Sequence, residues 1–153
     1  RRYIREWKDV PVFFSTVCYG TPYPLFGNAS KSAAITPECR VLLVTGIAKP
    51  QPIKKELEGR GAKVELMQYA DHHNFTADEL QEISDRFNGT KGENKVIMTT
   101  EKDATRLLQH PAVTQSIKEN LYAMPIEVEI LNNEEKMFNQ IIVDYVRKNQ
   151  RDR

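Results

Sequence analysis

Cysteine, histidine and tryptophan are scarce in this chain: two, three and one among 153 residues. Cys18 and Cys39 have neither metal-ligand nor redox-motif spacing and are too few for a disulfide scaffold. They read as reduced thiols in a reducing compartment. Long apolar runs are missing as well. No stretch of eighteen apolar residues exists to cross a bilayer, and no signal-peptide pattern opens the chain. Neither sign of charge is in excess, since 22 Lys and Arg face 21 Asp and Glu for a net charge of +1. Phosphate-backbone binding rests on concentrated positive charge, so no nucleic-acid partner is expected. The basic ends, Arg1-Arg2-Tyr3-Ile4-Arg5 and Arg147-Lys148, suit contact with an anionic surface but read first as solvated termini. The glycine signatures G-x-G-x-x-G and G-x-x-x-x-G-K-[ST] do not occur.

What remains is an ordinary globular composition, 40% hydrophobic and 28% charged, in a length that suits one domain with a real core. Val10 to Val17 is rich in β-branched and aromatic residues and predicts a strand. The Gly- and Pro-rich segment from Tyr19 to Gly27 predicts a loop. Arg40 to Thr45 (RVLLVT) is a nearly unbroken apolar run, suited to a strand buried on both faces. It breaks at Gly46. Pro50 and Pro52 suit the first turn of a helix, where a missing N–H costs nothing. That helix is expected to end near Gly59 or Gly61, with a strand from Ala62 to Met67 completing a βαβ unit.

The alternation continues. Thr76-Ala77-Asp78-Glu79 has capping-box spacing, and Leu80, Ile83 and Phe87 form a helical stripe. Lys95 to Thr99 predicts a strand, and Thr100-Glu101-Lys102-Asp103 a helix start with acids at its positive end. Ile126 to Ile130 predicts a last strand, wet on the face of Glu127 and Glu129. Asn132 opens a final helix. Its stripe of Met137, Phe138, Ile141, Ile142 and Tyr145, at roughly 1.5–3 kcal/mol per side chain if fully buried, is expected to dock it firmly. The sum is a single-domain α/β fold, a mostly parallel sheet flanked by helices in a Rossmann-like three-layer arrangement.

In such sheets ligands gather at the carboxyl ends of the strands. Three polar motifs fall there: Gly46-Ile47-Ala48, Asp71-His72-His73, and Thr100-Glu101-Lys102-Asp103. Gly46, Ile47 and Ala48 read either as an anion- or nucleotide-side turn at a helix N-terminus or as a tight βα turn. Asp71 beside His72 can orient or tune an imidazole for proton transfer. A polar strand-to-helix loop accounts for the same residues. Adjacent side chains of an extended segment diverge, so His72 and His73 are not expected to share a metal, and no metal site is expected. Thr100 to Asp103 suits a capped helix start, which does not by itself demand Lys102 between two acids.

The stretches "VTGIAKPQPIKKELEGRGAKV", "DHHNFTADEL", "VIMTTEKDATRL" and "YAMPIEV", in this order, resemble the C-terminal domain of the tetraacyldisaccharide 4'-kinases, the lipid A 4'-kinases of Gram-negative bacteria. The preceding "FFSTVCYGTPYPLF" is similar to the segment that leads into that domain. The resemblance implies a P-loop kinase whose N-terminal domain, holding the phosphate loop and an aspartate base, is missing here. Residues 1–30 would then lead in from that domain and 31–153 form the C-terminal α/β domain; the lack of an initiator methionine agrees with a fragment. The implied reaction moves the γ-phosphate of ATP, with Mg2+, to the 4'-hydroxyl of tetraacyldisaccharide 1-phosphate at the cytoplasmic face of the inner membrane, in peripheral contact with it. The resemblance further implies that Asp71 and His72 are catalytic, with His72 supporting the aspartate base. Thr100, Glu101, Lys102 and Asp103 match a motif of the family and are expected to support the active site. The fragment alone is expected to be inactive and to hold no cofactor tightly. Two other classes compete: a metal-dependent phosphoesterase of the D-H-H type, for which Asp9 is the sole aspartate upstream of Asp71, and a non-catalytic α/β nucleotide- or partner-binding domain.

Overall fold

The computed structural model describes residues 10–27 and 35–151. The chain forms two compact units, one spanning Tyr19–Ile126 and the other combining described residues up to Cys18 with those from Glu127 onward. Asp9 and the Arg1 to Arg5 stretch lie outside the described residues.

In the larger unit the strands are β2 (Tyr23–Pro24), β3 (Arg40–Thr45), β4 (Lys63–Gln68), β5 (Lys95–Thr100) and β6 (Leu121–Met124). They form one sheet in the order β2-β6-β5-β3-β4. The pairs β3–β4, β3–β5 and β5–β6 are parallel, and β2 is antiparallel to β6. The mostly parallel sheet is therefore present. Arg40 of β3 stands opposite Lys63 on one side and Lys95 on the other, so the carboxyl ends of all three strands share one edge.

Helices α1 (Gln51–Gly59), α2 (Ala77–Gly89), α3 (Glu101–Leu108) and α4 (Gln115–Asn120) connect these strands. Alternation along RVLLVT sends Val41 and Leu43 into a cluster with Ile53 and Leu57 of α1. Leu42 and Val44 enter the opposite cluster, with Leu80, Ile83 and Phe87 of α2 and Ile117 of α4. Both faces of β3 are thus dry, the condition an uninterrupted apolar strand requires. Leu43, Leu57 and Leu80 show no exposed surface, and each contributes about 1.5–3 kcal/mol. α1 stops as expected near its glycines. Gly61 has φ +96°, and a Cβ there would stand 2.9 Å from Pro37 Cα, so only glycine suits the return into β4.

Strand β6 is not among the expected strands. At four residues (LYAM) it is short, and Pro125 separates it from β7 (Ile126–Ile130), the strand that the sequence does predict. β7 belongs to no part of the larger sheet. It pairs with β1 (Ser15–Tyr19) in a two-stranded sheet of its own. β1 starts later than the expected Val10 and runs on to Tyr19, two residues past the expected Val17. β7 is exposed on both faces rather than one, with Val128 65% exposed. The smaller unit also holds α5 (Glu135–Arg151). There Phe138 meets Phe13 edge-on with ring centroids 5.3 Å apart. The firm burial expected of the α5 stripe is not found: Met137, Ile142 and Tyr145 are exposed.

Candidate functional site at the carboxyl edge of the sheet

The three polar motifs meet at the carboxyl edge of the larger unit's sheet, and the group that joins two of them is Asp103. Thr100 ends β5 and caps α3, its hydroxyl accepting from the Asp103 N–H at 3.1 Å. One turn in, the Asp103 side chain has no exposed surface. Its Oδ2 accepts from the Thr100 hydroxyl (2.8 Å), the Thr45 hydroxyl (3.1 Å) and the Gly46 N–H (3.0 Å). Its Oδ1 pairs with Arg106 Nη1 at 3.1 Å. Taking a carboxylate out of water costs several kcal/mol, and these four donors offset that cost. The carboxylate locks the turn after β3 to the start of α3.

Of the two readings of Gly46, Ile47 and Ala48, this arrangement agrees with the tight turn rather than the helix N-terminus. The helix begins only at Gln51, with Pro50 as its N-cap, so the three residues precede it in a loop. The Gly46 N–H is donated to Asp103, so an internal carboxylate occupies that amide. A Cβ at Gly46 would stand 3.0 Å from Ala70 O, 3.2 Å from His73 Cβ and 3.3 Å from Asp103 Oδ1. Glycine is needed here for close approach.

The backbone of Asp71-His72-His73 is a turn, not the extended segment expected. The His73 N–H donates to Ala70 O and the His72 N–H to Gly46 O, each at 3.2 Å. His72 has φ +61°, a left-handed conformation that costs a non-glycine residue about 1–2 kcal/mol. Its side chain is 71% exposed. Asp71 Oδ1 receives the His72 N–H at 3.0 Å and the Lys102 ammonium at 2.7 Å. That bond from Lys102 is the main cause holding the Asp71 carboxyl below its ordinary value. Lys102 Nζ also lies 3.3 Å from His72 Nε2, and Arg106 Nη2 lies 3.4 Å from His72 Nδ1. Lys102 therefore has a partner in the second motif, which capping alone does not require.

The two histidines diverge, but through the turn and their separate partners. His73 stacks on Tyr69 with centroids 5.0 Å apart and pairs with Glu79 at 2.8 Å. Glu79 closes the capping box of α2 with Thr76, and the bond from His73 is the main cause lowering its carboxyl pKa. Burial, reinforced by Glu82 and Glu79, pushes the Tyr69 phenol up to about 12. His73 is thus a structural member of the α2 start. Among the described residues, no three His, Cys, Asp or Glu side chains converge as a metal-ligand set.

Glu101 turns away from His72. It accepts from the Tyr23 hydroxyl at 3.1 Å and the Ile126 N–H at 3.4 Å. Burial, aided by this bond, raises the Tyr23 phenol. Of the four residues Thr100 to Asp103, Lys102 touches His72 directly, and Thr100 and Asp103 act on the turn beneath it. Arg106 is the contact the sequence reading does not single out. Its spacing carries a signal: three residues after Asp103 and four after Lys102, it shares their helix face.

The profile of the tetraacyldisaccharide-1-P 4'-kinase family matches residues 9–147. A tetraacyldisaccharide 4'-kinase of Bacteroides thetaiotaomicron is 43% identical over 92% of this chain, and one of Bacteroides fragilis is 41% identical over 92%. The chain spans 39% of the length of each. A crystal structure of "apo" form LpxK from Aquifex aeolicus in complex with ATP is similar with a TM-score of 0.52 at 21% identity. The match covers 89% of this chain and 37% of that one. It supports the α/β fold.

Proposed function

The chain belongs to the tetraacyldisaccharide-1-P 4'-kinase family, and on that premise we propose that it is the part of such a kinase that presents His72 to a phosphoryl-transfer centre. The observation that carries this reading is His72 itself. An exposed imidazole sits on a strained left-handed turn and is braced by a carboxylate and two cations at the carboxyl edge of a parallel sheet. Backbone strain of that kind persists only where the surrounding structure over-determines it, and it clusters at active sites.

The reaction we propose for the complete protein is transfer of the ATP γ-phosphate to the 4'-hydroxyl of tetraacyldisaccharide 1-phosphate, at the cytoplasmic face of the inner membrane. The described residues offer no built site for ATP phosphates or Mg2+. They include no phosphate-loop motif, the Gly46 amide is taken by Asp103, and no metal-ligand set is formed among the described residues. Both groups would be held by the region of the complete protein that this chain does not span. What this chain supplies is a hydrogen-bonding imidazole beside the attacking hydroxyl's base, with Asp71 and Lys102 fixing its approach. The phosphoesterase alternative requires a converging ligand set and is not favoured.

The test is His72→Ala in the complete protein. A positioned proton-transfer group contributes about 10²–10⁴-fold, so kcat should fall toward that range while KM for ATP holds. His73→Ala, which loses a contact to α2 instead, should lower thermal stability with far less effect on kcat. Equal, mild losses from both in stably folded protein would reduce the pair to a polar turn.

A further inference from the structure

We infer that Arg106 is a positioning residue that selects the tautomer of His72, leaving Nδ1 bare and Nε2 protonated. The groups facing the His72 ring are Arg106 at Nδ1 (3.4 Å), Lys102 at Nε2 (3.3 Å) and Asp71, whose Oδ2 lies 3.9 Å from Nε2. Guanidinium and ammonium groups only donate, and a neutral imidazole offers one lone pair and one N–H. The contacts to Arg106 and Lys102 therefore cannot both be hydrogen bonds to one neutral ring. One nitrogen must present its lone pair, and the other must find an acceptor.

Partners elsewhere decide which. Lys102 has a strong acceptor in Asp71 Oδ1 at 2.7 Å and does not depend on the ring. Asp71 Oδ2, 3.9 Å from Nε2, is too far to accept its proton but puts negative charge on that side, and the N–H of a side chain 71% exposed donates to water. On the Nδ1 side the partner among the described residues is Arg106, and it cannot accept. Arg106 is itself held, since its Nη1 is committed to the fully buried Asp103 at 3.1 Å. The guanidinium fork thus transmits the position of the buried carboxylate to an exposed ring, aiming Nη2 at Nδ1. The assigned order is thus Nδ1 accepting from the guanidinium and Nε2–H on the side of the Asp71 carboxylate and solvent. A histidine whose two nitrogens have assigned roles meets its reaction partner without a tautomer change.

The catalytic meaning of this selection rests on the kinase reading above, whereas the tautomer itself does not. Long-range 1H–15N correlation spectra of the 153-residue chain read it directly, with the His72 signals identified by their loss in His72→Gln. The expected result is a protonated Nε2 and an unprotonated Nδ1. Arg106→Gln, whose amide can donate or accept, should shift the ring toward a mixture of tautomers, and Lys102→Gln should leave Nε2 protonated. If Arg106→Gln fails to fold, Arg106→Lys keeps a cation for Asp103 with a shorter, unforked head and should give the same mixture. A protonated Nδ1 in the parent chain, or an unchanged tautomer in the folded Arg106 variant, overturns the assignment. In the complete protein Arg106→Lys should lower kcat by about 10-fold or more, with KM for ATP unchanged, since small misplacements of a reacting group can cost up to about 10²-fold. Full activity of His72→Ala would defeat the role given to His72 in the proposed reaction, and an unchanged tautomer would defeat the role of Arg106. The two failures are separate results.

Discussion

Replacing Asp103 with Asn tests the centre of the site without changing its shape. The carboxylate accepts from two hydroxyls, one backbone N–H and one guanidinium. The two hydroxyls can turn and accept from an amide NH2, but the Gly46 N–H and Arg106 can only donate. An Asn amide has one oxygen. If it serves the Gly46 side, its NH2 opposes Arg106, and a flipped amide leaves the buried Gly46 N–H facing a donor. One obligate donor is stranded either way. A buried unsatisfied donor costs about 1–3 kcal/mol, and a lost charged hydrogen bond about 1.5–3 kcal/mol. The isosteric change should therefore remove about 2–3 kcal/mol from a total stability of about 5–15 kcal/mol. At roughly 2–4 °C per kcal/mol for a chain near this size, Tm should drop by roughly 4–12 °C. Differential scanning calorimetry with urea titration measures it. A variant melting within about 1 °C of the parent, with an unchanged denaturant midpoint, would refute the hub reasoning. His72 offers a second reading of the same variant. Releasing Arg106 from Asp103 should loosen the ring, visible as line broadening of His72 resonances in protein that remains folded.

Gly46→Ala should destabilise by about 1–3 kcal/mol, since its Cβ would press on a backbone oxygen at 3.0 Å as well as on Asp103; an unchanged urea midpoint would mean the turn yields freely. The Glu79 carboxyl is lowered from its ordinary 4.5, chiefly by the bond from His73. Its contribution to stability is therefore present above that value and lost as pH falls through the folded pKa. Glu79→Gln should melt lower than the parent at pH 6 to 7, and the gap should close on acidification below 4.5; a gap independent of pH would assign the loss to the capping box alone.

The features legible in the sequence are those set by near neighbours along the chain. RVLLVT announces a doubly buried strand because its apolar run is longer than its faces can alternate, and Thr76 with Glu79 announces a helix start because both capping bonds span three residues. Even the meeting of the polar motifs follows from local signals, since parallel strands in register bring their carboxyl ends together. The bonds that turn this edge into a site are of another kind. Asp103 reaches Thr45 and Gly46 across 58 and 57 residues, because β5 lies beside β3 while β4, which precedes it in sequence, lies on β3's other side. Capping chemistry is an adequate local reason for an aspartate at that position and masks the non-local one. His72 is a similar case: nothing in D-H-H specifies a positive φ, and extended backbone was the default where no glycine stands. The turn forms because the His72 N–H finds the carbonyl of Gly46, a residue that must itself be small to let the chains approach. Arg106 completes the set by joining the buried carboxylate to the exposed ring through a single guanidinium. The site is thus specified by contacts between loops that the sheet order makes adjacent, and a substitution in any one of Gly46, Asp103 or Arg106 should be felt at His72.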